Sequence, residues 1–403
     1  MKVLQINVSA NSGSHGRIAD EIGGLLIERG HDNIIAYGRT ANNSKSTLIK
    51  IGSSLDLALH LVKTRLFDLH GFGSSRSTHI LTKQIEAINP DLIHLHNLHG
   101  YYLNIEALFT HLKNWNKPVV WTFHDCWPFT GHCSHFMHVN CNKWHEECCE
   151  CPNTQRYPKS WLIDNSKWNY RKKKQLFTGL EKMVLVSPSV WLAEQLKNSF
   201  LKKYEIRVIN NGVDLDKFKP VDNEAIKFRY GLNKKYILGV ASIWTKRKGL
   251  DDFLDLRKRL DPGIEIVLVG LKKSQTKSLP EGITGIFRTE NINVLAGLYT
   301  GAEVFVNPTY VDNFPMVNIE SLACGTPVIT YNTGGSSEAI DFKTGKVVEK
   351  GDISTLHKSI IGMLNSKELY SSAQCRDWAY RKFSAQERFN DYICLYNELL
   401  SID

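Results

Sequence analysis

Two carboxylates with seven residues between them frame the stretch DNFPMVNIESLACGTPVIT, residues 312–330: Asp312 and Glu320. The residues from Asn313 to Val317 read as a turn into a helix that runs through NIESLAC and closes at Cys324-Gly325. Amides of such a first turn favour an anion, with the helix dipole behind them. Glu320 would fall about one turn inside, where a carboxylate accepts two hydroxyls of a ribose. Asp312, before the turn, would reach sugar hydroxyls of the same molecule, and Asn313 and Phe314 would line the approach. The ligand implied is polyhydroxylated and carries a diphosphate. In isolation such a pair reads first as a dipole partner plus a surface acid.

Three further segments carry chemistry. Between the first strand and first helix, NVSANSGSHGR (7–17) offers Gly13 and Gly16, whose lack of a side chain lets amides approach an anion. A turn needed only for packing is the alternative there. The spacing is not Gly-x-Gly-x-x-Gly, and AYG at 36–38 lacks the acid that a dinucleotide site sets on its ribose, so a nicotinamide dehydrogenase is disfavoured. Nine of the fifteen histidines fall between His94 and His145. Strand alternation puts His94 and His96 of HLHNLHG on one face and leaves His99 in a loop, expected to help build an acceptor site; a metal site is the rival. Finally, Cys133, Cys141, Cys148 and Cys151 have spacings x7, x6 and x2, which suit a structural zinc stapling an insert of low apolar content. Cys126, Cys149 and His145 are substitute ligands, and free thiols or a disulfide are the alternatives.

The elements that must position these groups follow from hydrophobic patterning. KVLQINV (2–8), DLIHLH (91–96), PVVWTFH (118–124) and MVLVSP (183–188) alternate with helical stretches. A second series comprises YILGVAS (236–242), EIVLVG (265–270), GITGIF (282–287), AEVFVNP (302–308) and TPVITY (326–331). RVINNGVDLDKFKP between them reads as a turn and hinge. The expected fold is α/β: two Rossmann-like doubly wound domains facing across a cleft, with ligands at the carboxyl ends of the strands. The expected boundaries are 1–212 with the Cys-rich insert at about 126–152, 213–380, and a C-terminal helix at 381–403 packing back on the first domain.

At 403 residues, 42% hydrophobic and 23% charged, two domains are the natural expectation. The N-terminus MKVLQINVSANSG reads as a strand and polar loop rather than a signal core, and no apolar run approaches the roughly 20 residues of a membrane span, so a cytoplasmic location is expected. The net charge of +9 favours nucleotides, phosphates or an anionic membrane. SKWNYRKKKQLF (166–177) mixes aromatics with cations, either a face resting on anionic lipid or a solvated helix face. Nucleic acid is disfavoured, since no recognition motif accompanies the charge.

INNGVDLDKFKP, WTKRKGLDDFL and DNFPMVNIESLACGTPVITYNTGGSSEAI together resemble retaining glycosyltransferases of family 4, with the GT-B fold. DLIHLHNLHGYYLN and WTFHDCWPFTGHC resemble the branch that builds bacterial surface polysaccharides. The resemblance implies transfer of a sugar from a nucleotide diphosphate donor, with retained configuration and no metal or other cofactor required. Its E-x7-E motif stands here as Asp312 and Glu320, the first shortened by a methylene. Pro315 replaces a turn glycine, so the Met316 and Val317 amides take more of the phosphate binding. Of the family's basic pair Lys248 is kept, while Ser242 stands for the arginine and Arg247 is the substitute charge. Together they would neutralise the leaving diphosphate.

By the same resemblance His124 hydrogen-bonds a donor-sugar hydroxyl, and Asp125 orients it or touches the acceptor. The implied acceptor is a growing, lipid-linked glycan, met at the inner face of the membrane. A GT-B epimerase, which needs no acceptor, and a non-catalytic nucleotide-sugar binder are the other classes.

Overall fold

The computed structural model describes residues 1–401. The chain forms two compact units, each built on one parallel sheet.

The first unit comprises residues 1–209 and returns from Phe389 onward. Its strands are β1 (Lys2–Ala10), β2 (Asp32–Ala41), β3 (Thr47–Lys50), β4 (Leu92–Leu95), β5 (Val119–Thr122), β6 (Met183–Ser187) and β7 (Glu205–Val208), in the order β3-β2-β1-β4-β5-β6-β7. The central strands LIHL, VVWT and MVLVS are buried at every residue, as parallel strands covered on both faces must be. The sheet order reverses between β1 and β4. Ligands of such sheets bind beyond the carboxyl ends at that reversal. The loop and helix start after β1 carry Asn11 to Gly16, the loop after β4 carries His96 to Gly100, and His124 and Asp125 follow β5.

The returning helix is Ala385–Ser401, and residue 381 lies inside the preceding helix Ser372–Phe383. Thr122 donates to the Tyr392 hydroxyl at 3.2 Å, and the Tyr396 hydroxyl meets His94 Nδ1 at 2.6 Å. The edge strands β3 and β7 escape the sequence reading, because TLIK and EIRV are short and expose their ends.

The second unit spans Asn210–Arg388. Its strands are β8 (Lys235–Val240), β9 (Ile264–Val269), β10 (Ile283–Ile286), β11 (Val304–Asn307), β12 (Val328–Tyr331) and β13 (Gly345–Val348), in the order β10-β9-β8-β11-β12-β13. Here the order reverses between β8 and β11. The loop after β8 leads to Lys248, and the loop after β11 leads to Asp312.

The Cys-rich insert differs from expectation. Its aromatic residues join the core of the first unit: Trp127, Phe129, Phe136 and Trp144 are buried, with ring centroids 5.1 Å apart for Phe129–Trp144 and 5.0 Å for Phe136–Trp144. The basic helix Ser166–Phe177 turns one of its cations into the protein and pairs three others with carboxylates. Lys173 is buried and donates to the carbonyls of Trp127 (2.8 Å) and Thr130 (3.0 Å); burial lowers its pKa to about 7. Arg171 and Lys167 pair with Glu147, and Lys172 with Glu106. These cations serve the protein's own structure.

Candidate active site

In the second unit the sheet reversal brings two distant segments together. Lys248 closes a single 3-10 turn, Lys246–Lys248, after β8, and Gly249 follows at φ +77°. A Cβ on Gly249 would lie 2.3 Å from the Pro308 carbonyl oxygen, so only glycine lets this loop pass so close to the one after β11. Trp244 anchors the loop, buried with its indole N–H on the Val269 carbonyl at 2.8 Å. The outcome is an ion pair: Lys248 Nζ stands 2.6 Å from Asp312 Oδ2, both side chains about a fifth exposed (22% and 20%).

Arg247 braces the same junction. Its guanidinium donates to the Val311 carbonyl at 3.3 Å, and its own carbonyl accepts from the Tyr310 amide at 2.9 Å. Ser242 is exposed near the start of the loop. Behind the loop, Tyr310 donates to Asp252, whose carboxyl burial raises to about 6.

The helix after Asp312 is Met316–Ala323, with Pro315 as its N-cap. Met316 and Val317 therefore supply its first two amides, as a phosphate-binding turn requires. Asn318, buried, accepts from Asn307 at 2.8 Å and donates to the Ser336 carbonyl at 3.0 Å, which locks the helix to the end of β11. Glu320 sits one turn inside with 6% of its surface exposed, accepting from the Tyr299 hydroxyl at 3.1 Å. Asn313 is buried as well. Phe314 is buried in the hydrophobic core, its ring 5.7 Å from that of Phe383.

The first unit gathers histidines at the same end of its sheet. His94 and His96 do share a face, ring centroids 3.9 Å apart, but both are spent internally: His94 meets Thr122 and Tyr396, His96 meets Gln5 at 2.8 Å. His124 stacks on His96 (5.5 Å) and meets it at 3.3 Å, with His15 at 5.8 Å on another side. Burial, then the neighbouring His96 and His15, hold the His124 pKa well below 6.5, so its imidazole is neutral.

His99 Nε2 lies 2.6 Å from Asp125 Oδ2, and its Nδ1 lies 2.8 Å from the Tyr157 hydroxyl, which is 3.4 Å from His70. Asp125 Oδ1 accepts from the Trp127 amide at 2.9 Å. Burial pushes the Asp125 carboxyl up, but the charge and hydrogen bond of His99 outweigh this and hold it at about 2. Asp125 is thus an ionised, oriented carboxylate with both oxygens engaged.

Gly13 takes φ +70° at the head of the helix Gly13–Glu28. Gly16 is explained by packing, since a Cβ there would meet Ser9 Oγ at 2.7 Å. His15 stands between these two glycines and escaped the sequence reading. Its position in a turn after a strand was the available signal. Tyr157 and Tyr299 had none, because only the fold brings them to His99 and Glu320.

Cys133, Cys141, Cys148 and Cys151 all line one small cavity in the insert. Among the described residues, however, no three His, Cys, Asp or Glu side chains are grouped so as to hold a metal ion. Burial raises the Cys148 pKa to about 12, and a hydrogen bond to Cys133 followed by burial drives Cys151 higher still.

Residues 15–217 match the profile of Glycosyltransferase Family 4, and residues 222–380 that of Glycosyl transferases group 1. WcaC of Escherichia coli K12, named for colanic acid biosynthesis, is 24% identical over 421 residues, spanning 99% of this chain and 100% of the relative. The capsular polysaccharide glycosyltransferase CapM of Staphylococcus aureus is 27% identical over 241 residues, 54% of this chain and 63% of CapM. Among solved structures, the sucrose-phosphate synthase of Thermosynechococcus elongatus superposes with TM-score 0.73 at 17% identity, covering 100% of both chains. Anabaena HepE in complex with UDP gives 0.69 at 14% identity, covering 99% of this chain and 100% of HepE. These likenesses establish the GT-B fold. With the first profile covering half of the sequence and the second most of the remainder, the chain belongs to glycosyltransferase family 4.

Proposed function

We propose that this glycosyltransferase moves a hexosyl or N-acetylhexosaminyl group, with retained configuration, from a nucleotide diphosphate sugar to a growing, lipid-linked surface glycan at the cytoplasmic face of the membrane. The observation that carries the reading is the constellation in the second unit: Lys248 paired with Asp312, the Met316 and Val317 amides, and Glu320 one turn inside the helix. A cation and a helix N-terminus suit a diphosphate, and a carboxylate one turn on suits ribose hydroxyls. HepE has been solved with UDP and with UDP-glucose, and WcaC and CapM carry polysaccharide names. Among the described residues, no helix is long and apolar enough to cross a membrane.

The chemistry follows from what each group does. As the bond from the anomeric carbon to the diphosphate breaks, negative charge grows on the departing oxygen, where Lys248 and the helix amides stabilise it. Asp312 holds the Lys248 ammonium in place and accepts from a sugar hydroxyl. The acceptor oxygen forms its bond on the face the diphosphate leaves, and its proton passes to the departing phosphate. In the first unit, neutral His124 is suited to a sugar hydroxyl. Asp125, with both oxygens occupied, is an orienting group rather than a nucleophile, in keeping with this route.

The test is thermal stabilisation by UDP, GDP, ADP, CMP and their sugars, on wild type and Glu320→Ala. A ligand bound only by the folded chain raises stability by about 2.7 kcal/mol at a hundredfold excess over its Kd. One diphosphate that shifts wild type and not the variant identifies the donor base. Stabilisation by none of them overturns the donor assignment. Sugar interconversion without acceptor would point to the epimerase instead.

A further inference from the structure

The helix Ser54–Phe67 buries two polar residues and leaves four apolar ones in water. His60 is 1% exposed and Thr64 0%, while Leu57, Leu61 and Leu66 are only half-buried. Facing outward are Leu55 at 67%, Leu59 at 56%, Val62 at 51% and Phe67 at 44%. Leu55, Leu59 and Val62 are spaced i, i+4, i+7 and so form one stripe. This orientation is built in. His60 Nε2 accepts from the amides of Gly71 (3.1 Å) and Gly73 (3.2 Å), and Thr64 donates to the His60 carbonyl, so the polar face is held inward by the loop that follows.

A second apolar segment docks at the C-terminal end of this helix. Trp161 (59%), Leu162 (72%) and Ile163 (44%) are exposed in succession. The Trp161 amide donates to the Arg65 carbonyl at 2.7 Å, the Arg65 guanidinium returns to the Lys159 carbonyl at 2.7 Å, and Asn165 donates to the Phe67 carbonyl at 2.9 Å. Helix and loop are therefore one continuous surface. Isolated exposed apolar residues are ordinary; a stripe joined to a Trp-Leu-Ile loop is the kind of patch that marks a binding surface.

Charge selects the occupant. Lys63 and Arg65 of the helix and Lys159 of the loop border this surface. Its acids are committed: Asp56 serves the Ser53 capping box, and Asp164 accepts from the Cys151 and Ser166 amides. A second copy of the chain would set cations against cations. An apolar stripe with a tryptophan, bordered by Lys and Arg, complements an anionic lipid surface, with the helix lying in the headgroup plane.

We propose that helix Ser54–Phe67 and loop 161–163 form the surface on which this enzyme docks to anionic lipid bilayers. This deepens the reading of a membrane-borne acceptor and moves the contact away from helix Ser166–Phe177, where Lys173 is buried and Lys167, Arg171 and Lys172 pair with carboxylates. The docking loop follows closely on Tyr157, the partner of His99, so lipid contact and the candidate acceptor-side cluster share one short stretch of chain.

The full chain is sedimented with vesicles of phosphatidylethanolamine and phosphatidylglycerol, and with phosphatidylcholine alone, without donor or acceptor. Expected is binding to the anionic vesicles that weakens with added salt and is at least about tenfold weaker on phosphatidylcholine. Leu59→Ser and Leu162→Ser should each weaken it by about tenfold, the loss of one buried leucine. Lys63→Glu should weaken binding to the anionic vesicles alone. Phe228→Ser, at an 88% exposed site in the second unit, should leave binding unchanged. Each variant is checked for an unaltered melting temperature and an unaltered nucleotide-induced shift. The nucleotide readout is independent of lipid, so failure here leaves the transfer reading standing. Absence of vesicle binding, or binding indifferent to Leu59 and Leu162, overturns the proposal. So does a dimer in solution that Leu59→Ser dissociates, which would make a second copy the occupant.

Discussion

Lys248→Ala separates catalysis from stability most cleanly, because the structure sets different magnitudes for the two. The ammonium lies 2.6 Å from Asp312 Oδ2, with both side chains about a fifth exposed (22% and 20%). Unit charges at such contact interact by about 1 kcal/mol in water and about 4 kcal/mol at the effective dielectric of a protein surface, but exposure and side-chain entropy leave a net near 1 kcal/mol. Loss of the pair should therefore lower the melting temperature by roughly 2–4 °C. Loss of a group that stabilises charge developing on the leaving diphosphate costs about 2.7–4 kcal/mol of activation free energy, or 10²–10³ in kcat. It also leaves the Asp312 carboxylate facing the donor's negative charge. Initial rates at saturating donor, with melting curves on the same preparations, measure both. In the cycle with Asp312→Ala, a pair acting as a unit makes the double variant about as slow as the slower single one. A kcat within about threefold of wild type would refute the catalytic role, and a melting temperature lowered by more than about 10 °C would make Lys248 a structural residue.

Glu320→Gln keeps the size of the side chain and its contact with Tyr299 but removes the charge, so affinity for the nucleoside diphosphate should fall about tenfold or more by calorimetry. Unchanged affinity would leave Glu320 a structural partner of Tyr299. Gly249→Ala forces a left-handed alanine against the Pro308 carbonyl and should cost about 2 kcal/mol or more, read as a melting temperature roughly 5 °C lower, together with a loss of activity through Lys248 next door. His60 carries the pH prediction. Burial, then Lys63, lowers its pKa to about 4 from 6.5, and its Nε2 accepts two amide hydrogen bonds that a proton would abolish. The folded chain binds fewer protons than the unfolded one between these values, so stability rises with pH across the window. The contribution is complete above about pH 6.5 and lost toward pH 4, worth about 3 kcal/mol in all. Urea unfolding of wild type should show this slope and His60→Gln should flatten it; equal slopes would refute the assignment.

What the sequence made legible is what local pattern controls. The buried strands are continuous apolar runs between turn signals, so two parallel sheets followed from LIHL, VVWT and MVLVS and their counterparts, while the half-exposed edges β3, β7 and β13 did not. Glu320 and the Met316 amides were legible because a helix start is a local signal. The Lys248–Asp312 pair spans 64 residues and depends on β8 lying beside β11, which strand order alone decides. The burial of Phe314 was hidden for a related reason: a residue in a turn can point to either side, and its packing against Phe383, 69 positions on, shows only in the fold.

The insert shows the limit most sharply. Its aliphatic residues are few, and that suggested a segment held by metal. Aromatic rings, one of them packed against the buried Lys173 of the following helix, supply much of its packing, and each finds its partner in three dimensions rather than along the chain. Tyr157 reaches His99 across 58 residues with no propensity or spacing to announce it. The same stretch then exposes Trp161 and Leu162. The stretch 157–163, just beyond the insert, therefore carries two contacts, one toward the His99–Asp125 pair and one toward the surface. Because Pro158 to Ser160 alone separate them, a change at Trp161 that alters vesicle binding should also shift the KM for a lipid-borne acceptor while leaving nucleotide binding untouched.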